Sequence, residues 1–146
     1  MRVWRISNYA DLSGRGGIIA AGRWNLIDTP IVYCADYPAT AMVEILVHLD
    51  SEDIPESYQL LEIDLPDAAE ISVPDLPENW RDDEPATQHI GTDFVTAGRF
   101  AAMQVPSVVV PFGKNYLLNP RVAKSSHVEI VGVTVHPFDP RLIKQP

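Results

Sequence analysis

Three side chains with complementary chemistry stand within a short stretch of this chain: Arg23 in Gly22-Arg23-Trp24-Asn25, Tyr33 in the apolar run Ile31-Val32-Tyr33-Cys34, and Glu44 in a helical pattern over residues 39–49. A guanidinium offers a planar fork of donors that grips a pyrophosphate in two parallel bonds. A tyrosine ring at a strand end suits a flat heterocycle, and a carboxylate steadies positive charge growing on a sugar. A dinucleotide whose glycosidic bond is to be broken calls for all three. Arg5 is a second candidate for the anion, and Trp24 and Asn25 adjoin Arg23 as substrate-binding candidates. Each residue also has an ordinary reading: a cation packed on an indole, a half-buried core tyrosine, and a solvated Glu44-His48 pair.

One strand-turn-helix unit must hold the trio. Residues 31–34 form a β-prone run, Tyr37-Pro38 opens the helix with proline in its first turn, and Met42, Ile45, Leu46 and Leu49 recur at helical spacing as the core stripe. Glu44 falls away from that stripe, on a face shared with Ala41 and His48, where it borders a cleft. Residues 3–6 read as a strand, and Ser13-Gly14-Arg15-Gly16-Gly17 as a flexible loop, either plain surface or a lid near phosphate. Residues 58–65 form a strand with Leu61, Ile63 and Leu65 inward. Residues 66–85 are broken by prolines and acidic residues, an irregular excursion anchored by Trp80. A helix is expected over 91–103 with Thr92 as its cap, a buried strand over 108–110, a sheet extension over 116–118 and a last strand over 128–135. Strands at both ends with helices between predict a single α+β domain, residues 1–146, on a mixed or antiparallel sheet.

The chain has 146 residues, a net charge of −9 and one cysteine. That charge argues against direct nucleic-acid binding, whose affinity comes from phosphate-directed cations. Arg2, Arg5, Arg15 and Arg23 crowd the first segment, whereas no lysine or arginine occurs from Trp24 to Trp80. The amino-terminal arginines therefore supply the positive pocket that an anionic ligand needs, and the acidic span suits a basic protein partner or plain solvent. One cysteine, no apolar run of signal-peptide or membrane-spanning length, and no targeting segment predict a cytoplasmic protein. The histidines are scattered and Cys34 has no partner at zinc-ligand spacing, so no metal site is expected. The glycines fit neither a Rossmann nor a Walker pattern, and no Gly-x-Ser-x-Gly elbow is present.

Nearly the whole chain resembles the RES domain, the toxin half of bacterial toxin-antitoxin pairs whose antitoxin is an Xre-type DNA-binding protein. The resemblance runs through Trp4-Arg5-Ile6, Gly22-Arg23-Trp24-Asn25, Pro30-Ile31-Val32-Tyr33 and Glu44-Ile45-Leu46-Val47-His48. It resumes at Trp80, Thr87, Ile90-Gly91, the segment from Val105 to Pro111, Asn115-Tyr116-Leu117-Leu118-Asn119-Pro120, and Phe138-Asp139-Pro140-Arg141-Leu142. The arginine, glutamate and serine of the family name map to Arg23, Glu44 and Ser107. Two departures are visible: Asp28 stands where glycine is common, and Arg121-Val122-Ala123-Lys124 follows Asn119-Pro120 where a His-Pro pair is usual, so that histidine's role is not carried over.

The resemblance implies a split sheet like that of ADP-ribosyltransferases. It also implies a toxin that consumes NAD by phosphorolysis, by hydrolysis or by transfer of ADP-ribose to a protein. NAD would then be substrate, not a permanently bound cofactor, with inorganic phosphate as co-substrate of the phosphorolytic route. Nicotinamide carries a positive ring nitrogen and leaves as a neutral base without protonation, so one carboxylate, Glu44, can suffice. Ser107 would bond that glutamate or a ribose. The implied partner is an Xre-type antitoxin, with a toxin homodimer inside the complex as one arrangement. A non-catalytic acidic binding module is the alternative outside the enzyme class.

Overall fold

The computed structural model describes residues 1–143; the last three positions of the expected 1–146 domain lie outside the described residues. In chain order the elements are β1 (Arg2–Ile6), α1 (Arg15–Ile19), β2 (Val32–Ala35), α2 (Pro38–Leu46), β3 (Ser57–Asp64), β4 (Ile71–Ser72), α3 (Glu84–Ala97), β5 (Ala102–Pro106), β6 (Lys114–Leu118), α4 (Pro120–Ser125) and β7 (Glu129–Pro137). Short 3-10 turns occupy Trp80–Asp82 and Pro140–Leu142. One sheet of seven strands runs β4-β5-β6-β2-β1-β3-β7, antiparallel except for the β4/β5 pair, so the expected mixed α+β domain is what forms. Among the described residues no helix is long and apolar enough to cross a membrane.

The inner ladders are long except at one place, while β4 at the edge pairs with β5 over only two positions. β1 pairs with β3 over five positions, whereas β1 and β2 meet only at Trp4 opposite Ala35. The sheet parts there, and α2 covers the parting. On one side Val3, Leu61 and Ile63 pack with Val32 and Leu118; on the other, Trp24, Ile31, Phe94, Met103 and Leu117 form a second apolar cluster, with Trp80 against it.

Five expectations are corrected. The Ser13–Gly17 segment is not simply a loop, because α1 begins at Arg15 after Gly14 turns the chain in the left-handed region, φ 73°. The helix expected over 91–103 is α3, which starts at Glu84 under an Asp83 cap and stops at left-handed Gly98, so that residues 102–106 are free to form β5. Thr92 lies inside that helix and caps nothing; its hydroxyl accepts from the Leu26 amide instead, at 2.9 Å. Residues 108–110 form a bend with Val108 exposed, not a buried strand, since β5 ends at Pro106 and the chain must turn toward β6. In α2, which stops at Leu46 short of Leu49, the buried residues are Thr40 and Ala41, while Met42, Ile45 and Leu46 are only partly covered, because this helix meets the sheet along its Glu44 face.

Candidate active site

The cavity at the parting of β1 and β2 has a volume of about 720 Å³, within the range of small-molecule sites. Arg5, Arg23, Tyr33 and Glu44 all line it, so the predicted arginine and carboxylate share one hollow. Glu44 gets there because it follows buried Ala41 by three residues, nearly one helical turn, on the face that α2 turns to the sheet.

Two donors fix the carboxylate: its Oε1 accepts from Ser107 Oγ at 2.5 Å and from Asn115 Nδ2 at 3.0 Å. Ser107 is 1% exposed, and its Oγ also accepts from the amides of Val109 at 3.1 Å and Val110 at 3.0 Å. Both lone pairs being engaged, its only proton points to Glu44. Ser107 is thus a positioning residue that also organises the 108–110 bend. Ser107→Ala should leave two amides without an acceptor, lowering stability by about 1–3 kcal/mol, readable as a thermal shift, and should reduce turnover through a loosened Glu44.

Arg23 is more engaged than its motif suggests. Its Nη2 donates to the carbonyls of Trp80 at 3.0 Å and Arg81 at 2.6 Å, and its guanidinium lies 5.7 Å from the Trp80 ring centroid. Glu84 stands 3.9 Å from Nη1, and the buried Nε has no partner among the described residues. The cation-on-indole reading therefore holds, with Trp80 in place of Trp24, and Arg23 ties the irregular excursion to the cavity wall. Arg5 differs: none of the four ion pairs among the described residues includes it, and its buried Nε is unpartnered. It is the uncommitted cation of the cavity.

Tyr33 pairs with Leu117 of β6 on one side, and on the other, where β1 meets β2 only at Ala35, it stands at the parting of the sheet. Its hydroxyl donates to Asn25 Oδ1 at 2.6 Å and accepts from the Trp24 amide at 3.0 Å, and burial pushes its pKa up to about 12. The phenol is neutral and structurally bound, leaving the ring to the ligand. Gly22 has no side chain for a local reason: a Cβ there would stand 2.8 Å from both Asn25 Oδ1 and Tyr33 OH.

The two substrate-binding candidates beside Arg23 are both deeply buried, and they differ in their relation to the cavity. Asn25, 1% exposed, donates to the carbonyls of Gly17, Ala20 and Leu26 and lies outside the cavity lining. Trp24 is equally buried, its ring 5.9 Å from Trp80 in the second apolar cluster, but it also contributes to the cavity lining. Asp28 takes φ 65°, the left-handed conformation that explains why glycine suits this turn and why aspartate is tolerated. Cys34 is buried with its pKa raised to about 12 by desolvation, so it is no nucleophile at neutral pH. Asn115 escaped the sequence reading because only the β2/β6 register brings it to Glu44.

Comparison with known proteins finds a match to the RES domain over residues 2–139. The chain is 41% identical over 139 residues to the "Toxin Res" of Pseudomonas putida, covering 92% of this chain and 96% of that protein. It is 38% identical over 156 residues to the "Prs ADP-ribosylating toxin" of Sphingobium sp. (strain YBL2), covering 97% and 96%. A chain in the crystal structure of the M. tuberculosis MbcT-MbcA toxin-antitoxin complex superposes with a TM-score of 0.73 at 20% identity, over 97% of this chain and 85% of that one.

Proposed function

The chain belongs to the RES domain family, and from that premise we propose that it is the toxin of a toxin-antitoxin pair that breaks the nicotinamide-ribose bond of NAD. The observation that carries the reading is Glu44, held by two donors on one oxygen with its other oxygen unpartnered among the described residues, in a cavity that also holds an uncommitted arginine. Nicotinamide leaves with the bonding electrons, and the anomeric carbon bonds to an oxygen of phosphate or of water. Glu44 accepts the ribose 2′-hydroxyl and stabilises the oxocarbenium character of the transition state. Arg5 holds the pyrophosphate, the Tyr33 ring packs on the nicotinamide, and Arg23 braces the rim. An Xre-type antitoxin is the partner that silences the site, supported by the likeness to a toxin from a toxin-antitoxin complex.

Purified protein incubated with NAD, with and without phosphate, should release nicotinamide; none in either case from folded protein ends the proposal. Dependence on phosphate separates phosphorolysis from hydrolysis. Transfer of ADP-ribose to a protein is a second reading, favoured by the name of the 38% identical relative, and label from NAD appearing on protein in cell extract would reveal it. Arg5→Gln should raise KM for NAD by about 10- to 100-fold, the loss of one charged contact, with little thermal shift. Arg23→Gln should instead cost about 1–3 kcal/mol of stability, because its bonds to Trp80 and Arg81 are lost.

A further inference from the structure

We infer that Asn115 is a second acceptor of the sugar subsite: its Nδ2 steadies Glu44 while its Oδ1 receives the ribose 3′-hydroxyl, so that the cavity reads a vicinal diol. The inference rests on the reading of the cavity as a ribosyl site. The amide's orientation follows from its neighbour, since Glu44 Oε1 can only accept and the group 3.0 Å from it must be the NH2. Oδ1 is thereby turned to the other side of the amide. It has no partner among the described residues, yet it is not among the buried unpaired atoms, and Asn115 lines the cavity with Glu44.

Packing does not ask for an amide at this position, and the bond to Glu44 uses only its NH2. Asn115 sits in β6 opposite Ala35 on one side and Val105 on the other, both buried, and Tyr116, Leu117 and Leu118 after it are buried too. An apolar side chain would serve packing there. With Ser107 and Asn115 both on Oε1, the carboxylate presents Oε2, and the amide beside it presents Oδ1. Two neighbouring acceptors match the two donors of a cis-2′,3′-diol, Glu44 taking the 2′ and Asn115 the 3′ hydroxyl. The ligand class is therefore a ribosyl compound with both hydroxyls free.

The test compares NAD with an analogue lacking the 3′-hydroxyl on the nicotinamide ribose. Wild type should lose about tenfold or more in kcat/KM on the analogue, as sites built to bond a hydroxyl do. Asn115→Ala should lose less than twofold on the same change, while an analogue lacking the 2′-hydroxyl should stay poor with both proteins. A purely structural asparagine would lower the melting temperature of Asn115→Ala and leave the 3′ discrimination where it was. Wild type indifferent to the 3′-hydroxyl, or an undiminished 3′ penalty in Asn115→Ala, overturns the inference. If NAD itself yields no nicotinamide, the reaction falls but the subsite is still decided by calorimetric titration with ADP-ribose: tenfold weaker binding by Asn115→Ala supports it, and equal binding overturns it.

Discussion

Glu44→Gln should reduce nicotinamide release by a factor on the order of 10²–10³, with the melting temperature nearly unchanged. The two expectations have one origin. Glutamine keeps the length and shape of glutamate, and its amide oxygen can receive Ser107 Oγ and Asn115 Nδ2 as Oε1 does now. The packing of α2 against the sheet is then undisturbed. What changes is the group turned to the ligand: an anionic acceptor becomes a neutral NH2, which cannot receive a ribose hydroxyl or balance positive charge in the transition state. The loss should therefore fall on kcat more than on KM. A glutamine variant turning over within about threefold of wild type would remove Glu44 from the chemistry. The same substitution should relieve growth arrest when the chain is expressed without an antitoxin; equal toxicity would shift the explanation to binding.

The parts of this fold legible in the sequence are those written in local patterns. Leu61, Ile63 and Leu65 alternate and are all buried, and Pro38 opens α2 where a first-turn proline should. The second half was harder because its signals compete. Pro85 follows an Asp83 cap and marks the true start of α3, but the prolines and acidic residues before it resemble loop. Gly98 offers the left-handed stop, yet Ala101 and Ala102 after it look helical while leading into β5. The run Val108-Val109-Val110 reads as a strand by composition, and Ser107 overrides this by taking two of its amides. At the site the same division applies. Arg23, Tyr33 and Glu44 come together through one local unit, as read. Trp24 packs in the second apolar cluster while lining the cavity, and Asn25 bonds the carbonyls of the loop behind it, since a motif near a site includes the residues that build its wall. Asn115 depends on a pairing between strands about 80 residues apart, which no local pattern encodes.

The other large effect expected lies in that wall. Gly91 sits inside α3, where glycine ordinarily costs about 1 kcal/mol relative to alanine. Its presence there is explained by contact: a Cβ would stand 1.7 Å from the Trp24 carbonyl oxygen and 2.7 Å from the carbonyl carbon. These are backbone atoms of a residue that is 1% exposed, so neither can swing aside as a side-chain tip would. Gly91→Ala must push α3 away from the Gly22–Asn25 segment, straining Thr87 Oγ1 to the Arg23 carbonyl at 2.7 Å and Gln88 Nε2 to the Gly22 carbonyl at 3.0 Å. Overpacking of this kind costs about 3 kcal/mol or more, a fall of roughly 10 °C in melting temperature for a domain of this size. Because the Trp24 amide holds the Tyr33 hydroxyl, the displacement also reaches the cavity, and turnover should drop even well below the new midpoint. Gly16→Ala is the control: nothing lies within 4 Å of a Cβ there, and the change should be neutral or slightly stabilising. Equal melting temperatures for the two variants would mean that α3 does not press on Trp24 as closely as this packing requires.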